Sequence, residues 1–101
     1  MKNYVYVFHV ESAVKPSEEN MAAWGKWFET LGDKLVDGGN PFNGQAEAGI
    51  RDGVVSMDAD TVAGYTIVKA DNLEEAVEMA KGCPVATGSN CWLRVYETMP
   101  M

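Results

Sequence analysis

Residues 3–10 read Asn-Tyr-Val-Tyr-Val-Phe-His-Val, with a β-branched or aromatic side chain at nearly every position. A strand with one wet face alternates apolar and polar residues; an unbroken apolar run suits a central strand covered on both sides. Residues Val62–Ala70 repeat the pattern. Tyr6 and Phe8 oppose Val5 and Val7, and Tyr65 and Ile67 oppose Thr66 and Val68, so alternate sets on both strands are largely apolar. Any sheet built from these strands must hide both faces.

The rest of the chain supplies cover for one face. Ser17, followed by Glu18 and Glu19, reads as a helix cap with acids at the positive end of the dipole. Met21, Trp24, Phe28, Leu31 and Leu35 then recur at helical spacing, with Trp27 widening the stripe. Gly25 and Gly32 each weaken this helix by roughly 1 kcal/mol, so packing must hold it. Gly38 and Gly39 are read as its end, inside a Val36–Gly44 loop rich in turn residues. A second helix begins at an Asp71-x-x-Glu74 box, carries Leu73, Ala76, Val77 and Ala80 inward, and stops at Gly82 with Pro84 beyond.

Between the helices, Ala46–Arg51 and Val54–Met57 read as short strands joined by Asp52-Gly53, a hairpin signal. Asp58-Ala59-Asp60 is an acidic turn; Thr87–Asn90 precedes a last strand, Cys91–Thr98. The order is βαββαβ within 101 residues, one domain over residues 1–101. The expected class is α+β: a ferredoxin-like antiparallel sheet with two helices on one face. The second face would stay apolar and bare, so a homodimer stacked sheet on sheet is expected.

Charge narrows the partners. Eight Lys+Arg against fifteen Asp+Glu give a net charge of -7, with no basic cluster, which speaks against nucleic acid and anionic membranes. The apolar runs fall short of the roughly 20 residues of a membrane span, and no signal-peptide core precedes the first strand. A cytoplasmic protein is expected. Two cysteines and one histidine make neither a disulfide scaffold nor a closed zinc site, and no cofactor motif is present.

The text Gly64-Tyr-Thr-Ile-Val-Lys-Ala-Asp-Asn-Leu-Glu-Glu-Ala-Val-Glu-Met-Ala-Lys-Gly-Cys-Pro84 resembles the YCII-related family, also called the DGPF domain, among the dimeric α+β barrels. Leu35-Val-Asp-Gly-Gly and Trp92-Leu-Arg-Val-Tyr extend the likeness over most of the chain. The resemblance implies a ferredoxin-like subunit paired through its sheet; most members have no established activity. Some branches place a His on the first helix to work with an Asp in the following loop. Asp37 matches that Asp, but the helix offers Trp24 and Trp27 and no His. The stretch that names the DGPF domain is here Met57-Asp58-Ala59-Asp60, without Gly-Pro-Phe.

The candidate residues each have two readings. Asp37 with Gly38, Gly39, Asn40 and Phe42 would orient or deprotonate a small ligand, or simply close its own loop. His9, the sole histidine, is either a general base or a polar residue at the sheet margin. Strand direction puts it near the opposite end from Asp37, by roughly 20 Å. Arg94 would bind a substrate carboxylate or pair with an acid across a dimer. Trp24, Trp27, Trp92, Tyr65 and Phe28 would wall an aromatic pocket or fill the core. Cys83 and Cys91 read as packing residues, and Asp71, Glu74, Glu75 and Glu78 as a solvated helix face. Two functions are open: a small enzyme or ligand binder, with its pocket between helices and sheet, and a non-catalytic dimeric module.

Overall fold

The N-terminal apolar run becomes β1 (Lys2–Val10) in a computed structural model that describes residues 1–11, 18–42, 48–56 and 61–99. There follow α1 (Glu18–Leu31), a 3-10 turn at Gly32–Lys34, β2 (Leu35–Asp37), β3 (Gly49–Arg51) and β4 (Val54–Ser56). Then come β5 (Val62–Ala70), α2 (Leu73–Ala80), α3 (Pro84–Thr87) and β6 (Cys91–Glu97). The main sheet has the order β2-β5-β1-β6 with every pairing antiparallel, and β3-β4 form a separate two-stranded sheet. With β2 counted as the edge strand, this is the ferredoxin-like arrangement, and the two long strands lie side by side at its centre.

Pairing decides the faces. Tyr4, Tyr6 and Phe8 of β1 lie beside Val68, Thr66 and Gly64 of β5 and beside Glu97, Val95 and Leu93 of β6. This face packs on the helices in one cluster with Trp27, Leu31, Ala76, Ala80, Cys83 and Val85. Ala76 and Ala80 are small enough to let α2 settle close to the strands, and the Tyr6 hydroxyl donates to the Ala76 carbonyl at 2.5 Å. Trp27 is 3% exposed and its indole N–H donates to the Met79 carbonyl at 2.9 Å, tying α1 to α2. Trp24 packs edge-on against Phe8, at 5.0 Å between ring centres.

The other face carries Val5, Val7, Tyr65, Ile67 and Trp92, all half-buried, with Arg94 and Tyr96 exposed. Both of the longer helices lie on the opposite side.

Four boundaries differ from the sequence reading, each for a local reason. Gly32 takes a left-handed φ of +53° and ends α1 there, so Leu35 leaves the helical stripe and joins the sheet as the start of β2. Within the stripe, Met21 is 63% exposed and Trp27 takes the buried centre. The cap of α2 is Asn72, whose Oδ1 accepts the Glu75 N–H at 2.8 Å, one residue later than the expected Asp71 box. Pro84 starts α3 instead of ending a helix, because a first-turn proline gives up no hydrogen bond. The expected cap Ser17, residues 46 and 47 of the expected strand Ala46–Arg51, and the turn at Met57–Asp60 lie outside the described residues.

Asp52-Gly53 does turn a hairpin: φ values of 53° and 78° suit a type I′ turn. The hairpin stands apart from the main sheet, with Ile50, Val54 and Val55 each at least 65% exposed. Trp27→Ala should lower unfolding free energy by about 3–5 kcal/mol in urea titration, since it removes the buried ring and orphans the Met79 carbonyl.

Candidate functional site

β2 ends at Asp37, but the chain stays beside β5. The chain continues as an irregular edge along β5, moving from the level of Val5 towards the level of Phe8: Asp37 pairs with Ile67, and Pro41 bridges to Gly64. The Phe42 N–H donates to the Ala63 carbonyl at 2.7 Å, and the buried Thr66 hydroxyl donates to the Gly38 carbonyl at 3.0 Å. Asp37 is exposed; its Oδ1 accepts the Gly39 N–H at 2.8 Å, and Oδ2 has no partner among the described residues. The Phe42 ring lies 6.2 Å from Tyr65.

Two glycines permit this approach. Gly39 has a φ of +73°, and a Cβ there would run into the Tyr65 carbonyl. A Cβ on Gly64 would come within 2.9 Å of the Asn40 carbonyl oxygen. Gly64 also adjoins a β-bulge, for Phe8 pairs with Gly64 but His9 with Val62. Bulges of this kind redirect the side chains beside them.

His9 lies just past the bulge, opposite Trp92 on β6. It is 8% exposed, its Nδ1 is 2.9 Å from the Thr61 hydroxyl, and its ring lies flat on the Trp92 indole at 5.3 Å. Nε2 is buried and has no partner among the described residues. Two residues along β6, Arg94 faces the same way, exposed and without an ion pair among the described residues.

These candidates form separate groups. Asp37 lies at the level of Val5, four residues short of His9 and two strands away, which is about 16 Å. They do not meet within one chain, although Asp37 lies mid-sheet and not at the far end. Trp24 and Trp27 belong to neither group: they fill the layer between helices and sheet. That layer, the expected place of a pocket, is occupied by core side chains. A groove of about 330 Å³ between α1 and α2, edged by Lys26, Thr30 and Glu78, opens on the outer side of Trp27, away from Asp37 and His9. The pairing of Trp92 with His9 escaped the sequence reading, because register across two strands 80 residues apart leaves no local signal.

Cys83 is fully buried, and burial pushes its thiol up to about 11. It sits at the N-cap of α3, where the N–H groups of Val85 and Ala86 favour the thiolate, but desolvation outweighs them. The Cys91 thiol points to the Val85 carbonyl at 3.3 Å. No cluster of three or more His, Cys, Asp or Glu suited to a metal exists among the described residues.

Two tests follow from this geometry. Gly39→Ala should lower Tm by several degrees, at about 4–8 °C per kcal/mol for a domain of this size. Gly38→Ala, which meets nothing within 4 Å, should leave Tm nearly unchanged. In alkali the Cys83 proton is held more tightly when folded, so stability is present below the unfolded value of 9.0 and falls as pH climbs towards about 11. Cys83→Ala should flatten that part of the stability–pH curve, measured by urea titration.

A search of curated proteins finds no match to the chain. A family model does match, the YCII-related domain, over residues 1–99. With nearly the whole chain inside that match and the sheet order in agreement, the protein belongs to the YCII-related family.

Proposed function

We propose that the protein is a cytoplasmic homodimer, paired through the open faces of its sheets, that binds or transforms a small organic metabolite beside the loop after α1. The observation that carries this is the open face itself. Val5, Val7, Tyr65, Ile67 and Trp92 form a continuous apolar surface on the most regular part of the structure. Exposed apolar area of this extent is a mark of an interface. Two free thiols suit a reducing compartment.

Phe42 and Tyr65 border the open face at the edge where Asp37, Gly38 and Gly39 run along β5. An apolar wall, an exposed carboxylate and a backbone held close by glycine suit a small polar ligand with an apolar body. In this reading Asp37 orients the ligand, or takes a proton from it. A second reading, a binding module without turnover, draws support from one feature: α1 carries no histidine to act with Asp37.

Sedimentation at micromolar concentration should give twice the chain mass of 11.0 kDa. Ile67→Glu should give a folded single chain; a wild-type single-chain particle would remove the pairing. A thermal-shift screen with small carboxylates, phenols and lactones should raise Tm for at least one class. Asp37→Ala should abolish that rise while the circular dichroism spectrum stays unchanged, and an undiminished rise would remove Asp37 from the site.

A further inference from the structure

We propose that His9 and Arg94 together form a carboxylate subsite on the open face, so that the ligand is a small organic acid. It rests on the reading that the protein holds a small molecule, and adds an anchor for that molecule about 16 Å from Asp37 on the face proposed for pairing.

The first observation is His9 Nε2. A buried polar atom without a hydrogen bond costs about 1–3 kcal/mol, and native proteins seldom leave one unexplained. In an imidazole Nδ1 adjoins the carbon that joins the ring to its stem, and Nε2 lies at the outer end. With Nδ1 held by Thr61 and the ring parallel to Trp92, Nε2 is the outer end of a fixed ring on the strand position that faces Trp92. The ring is shielded from bulk water at 8% exposure, so a group inserted beside Trp92 is what satisfies Nε2.

The second observation is Arg94, which is independent of the first. In a chain of net charge -7, an arginine on a largely apolar sheet face would be expected to find an acid, yet it has no ion pair among the described residues. Arg94 is opposite Val7 and Trp92 is opposite His9, so the guanidinium stem starts about 7 Å along the strand from the indole. The long arginine side chain can fold back over that interval, so that one carboxylate takes the guanidinium on one oxygen and the imidazole on the other. When Nδ1 accepts from the Thr61 hydroxyl, Nε2 carries the proton and donates it to the ligand. A neutral ligand gains nothing from Arg94, and a phosphate would bring more charge than one arginine and one imidazole N–H balance. The apolar neighbours Val5, Val7 and Trp92 favour an acid with a hydrophobic body.

The sole histidine makes the test direct, because a single Cε1–H proton resonance reports on the site. Benzoate is titrated into the intact protein, with benzamide as the uncharged match in shape. Benzoate should move the His9 resonance saturably, benzamide should not, and Arg94→Gln should weaken benzoate binding about tenfold or more. Arg94 is exposed, so the variant should fold, as circular dichroism will show. Equal responses to benzoate and benzamide, unchanged binding in Arg94→Gln, or no saturable shift in wild type would each overturn the subsite. Sedimentation in the same buffer separates the two proposals. A dimer without the benzoate response overturns the subsite alone, and a single-chain particle with the response overturns the pairing alone.

Discussion

The aromatic row on β1 organises this molecule. Tyr4, Tyr6 and Phe8 share one face of the central strand and meet Trp27, Leu31 and the two alanines of α2. Each large ring in such a core removes about 150–250 Å² from water, worth roughly 4–6 kcal/mol at 25 cal/mol/Å² as an upper figure. Tyr6 and Trp27 have a polar tip as well, and each tip donates to a carbonyl of α2, at Ala76 and Met79. The row therefore sets the position of α2 and also the tilt of α1. Burial holds the Tyr6 phenol well above its usual range, so it remains a donor across ordinary pH.

One consequence is that, among the described residues, core side chains occupy the layer between sheet and helices. The residues proposed for function lie instead on the other face and its edges. The edge at β2 is made by backbone: glycines at 39 and 64 let two segments approach as no other residue would. The corner at His9 is made by side chains, through a β-bulge that redirects the strand end and an indole that clamps the imidazole. The two places border the same face without touching, about 16 Å apart.

Membership in the YCII-related family rests on nearly the full chain, while α1 carries no histidine to stand with the aspartate that follows it. Asp37 remains where that pattern has it, now bonded to its own turn through Gly39. Its oxygen Oδ1 is thereby committed to local structure, and Oδ2 has no partner among the described residues. His9 is no replacement for the missing helical histidine, since it comes from a strand and lies about 16 Å from Asp37.

The local sequence was enough to specify β1, β5, the bodies of both helices and the hairpin turn, because apolar period and the Asp-Gly signal act over a few residues. It also specified that the sheet would have two apolar faces, since alternation in Tyr4–Val10 and Val62–Ala70 leaves no polar side. The tertiary structure alone decided that Leu35–Asp37 is the edge strand, for Gly32 breaks the helix and the chain then pairs along the edge of β5. It alone placed Trp92 on His9 and left Nε2 without a partner. Strand register and bulges depend on pairing between distant segments, and that information is held by no single stretch of chain.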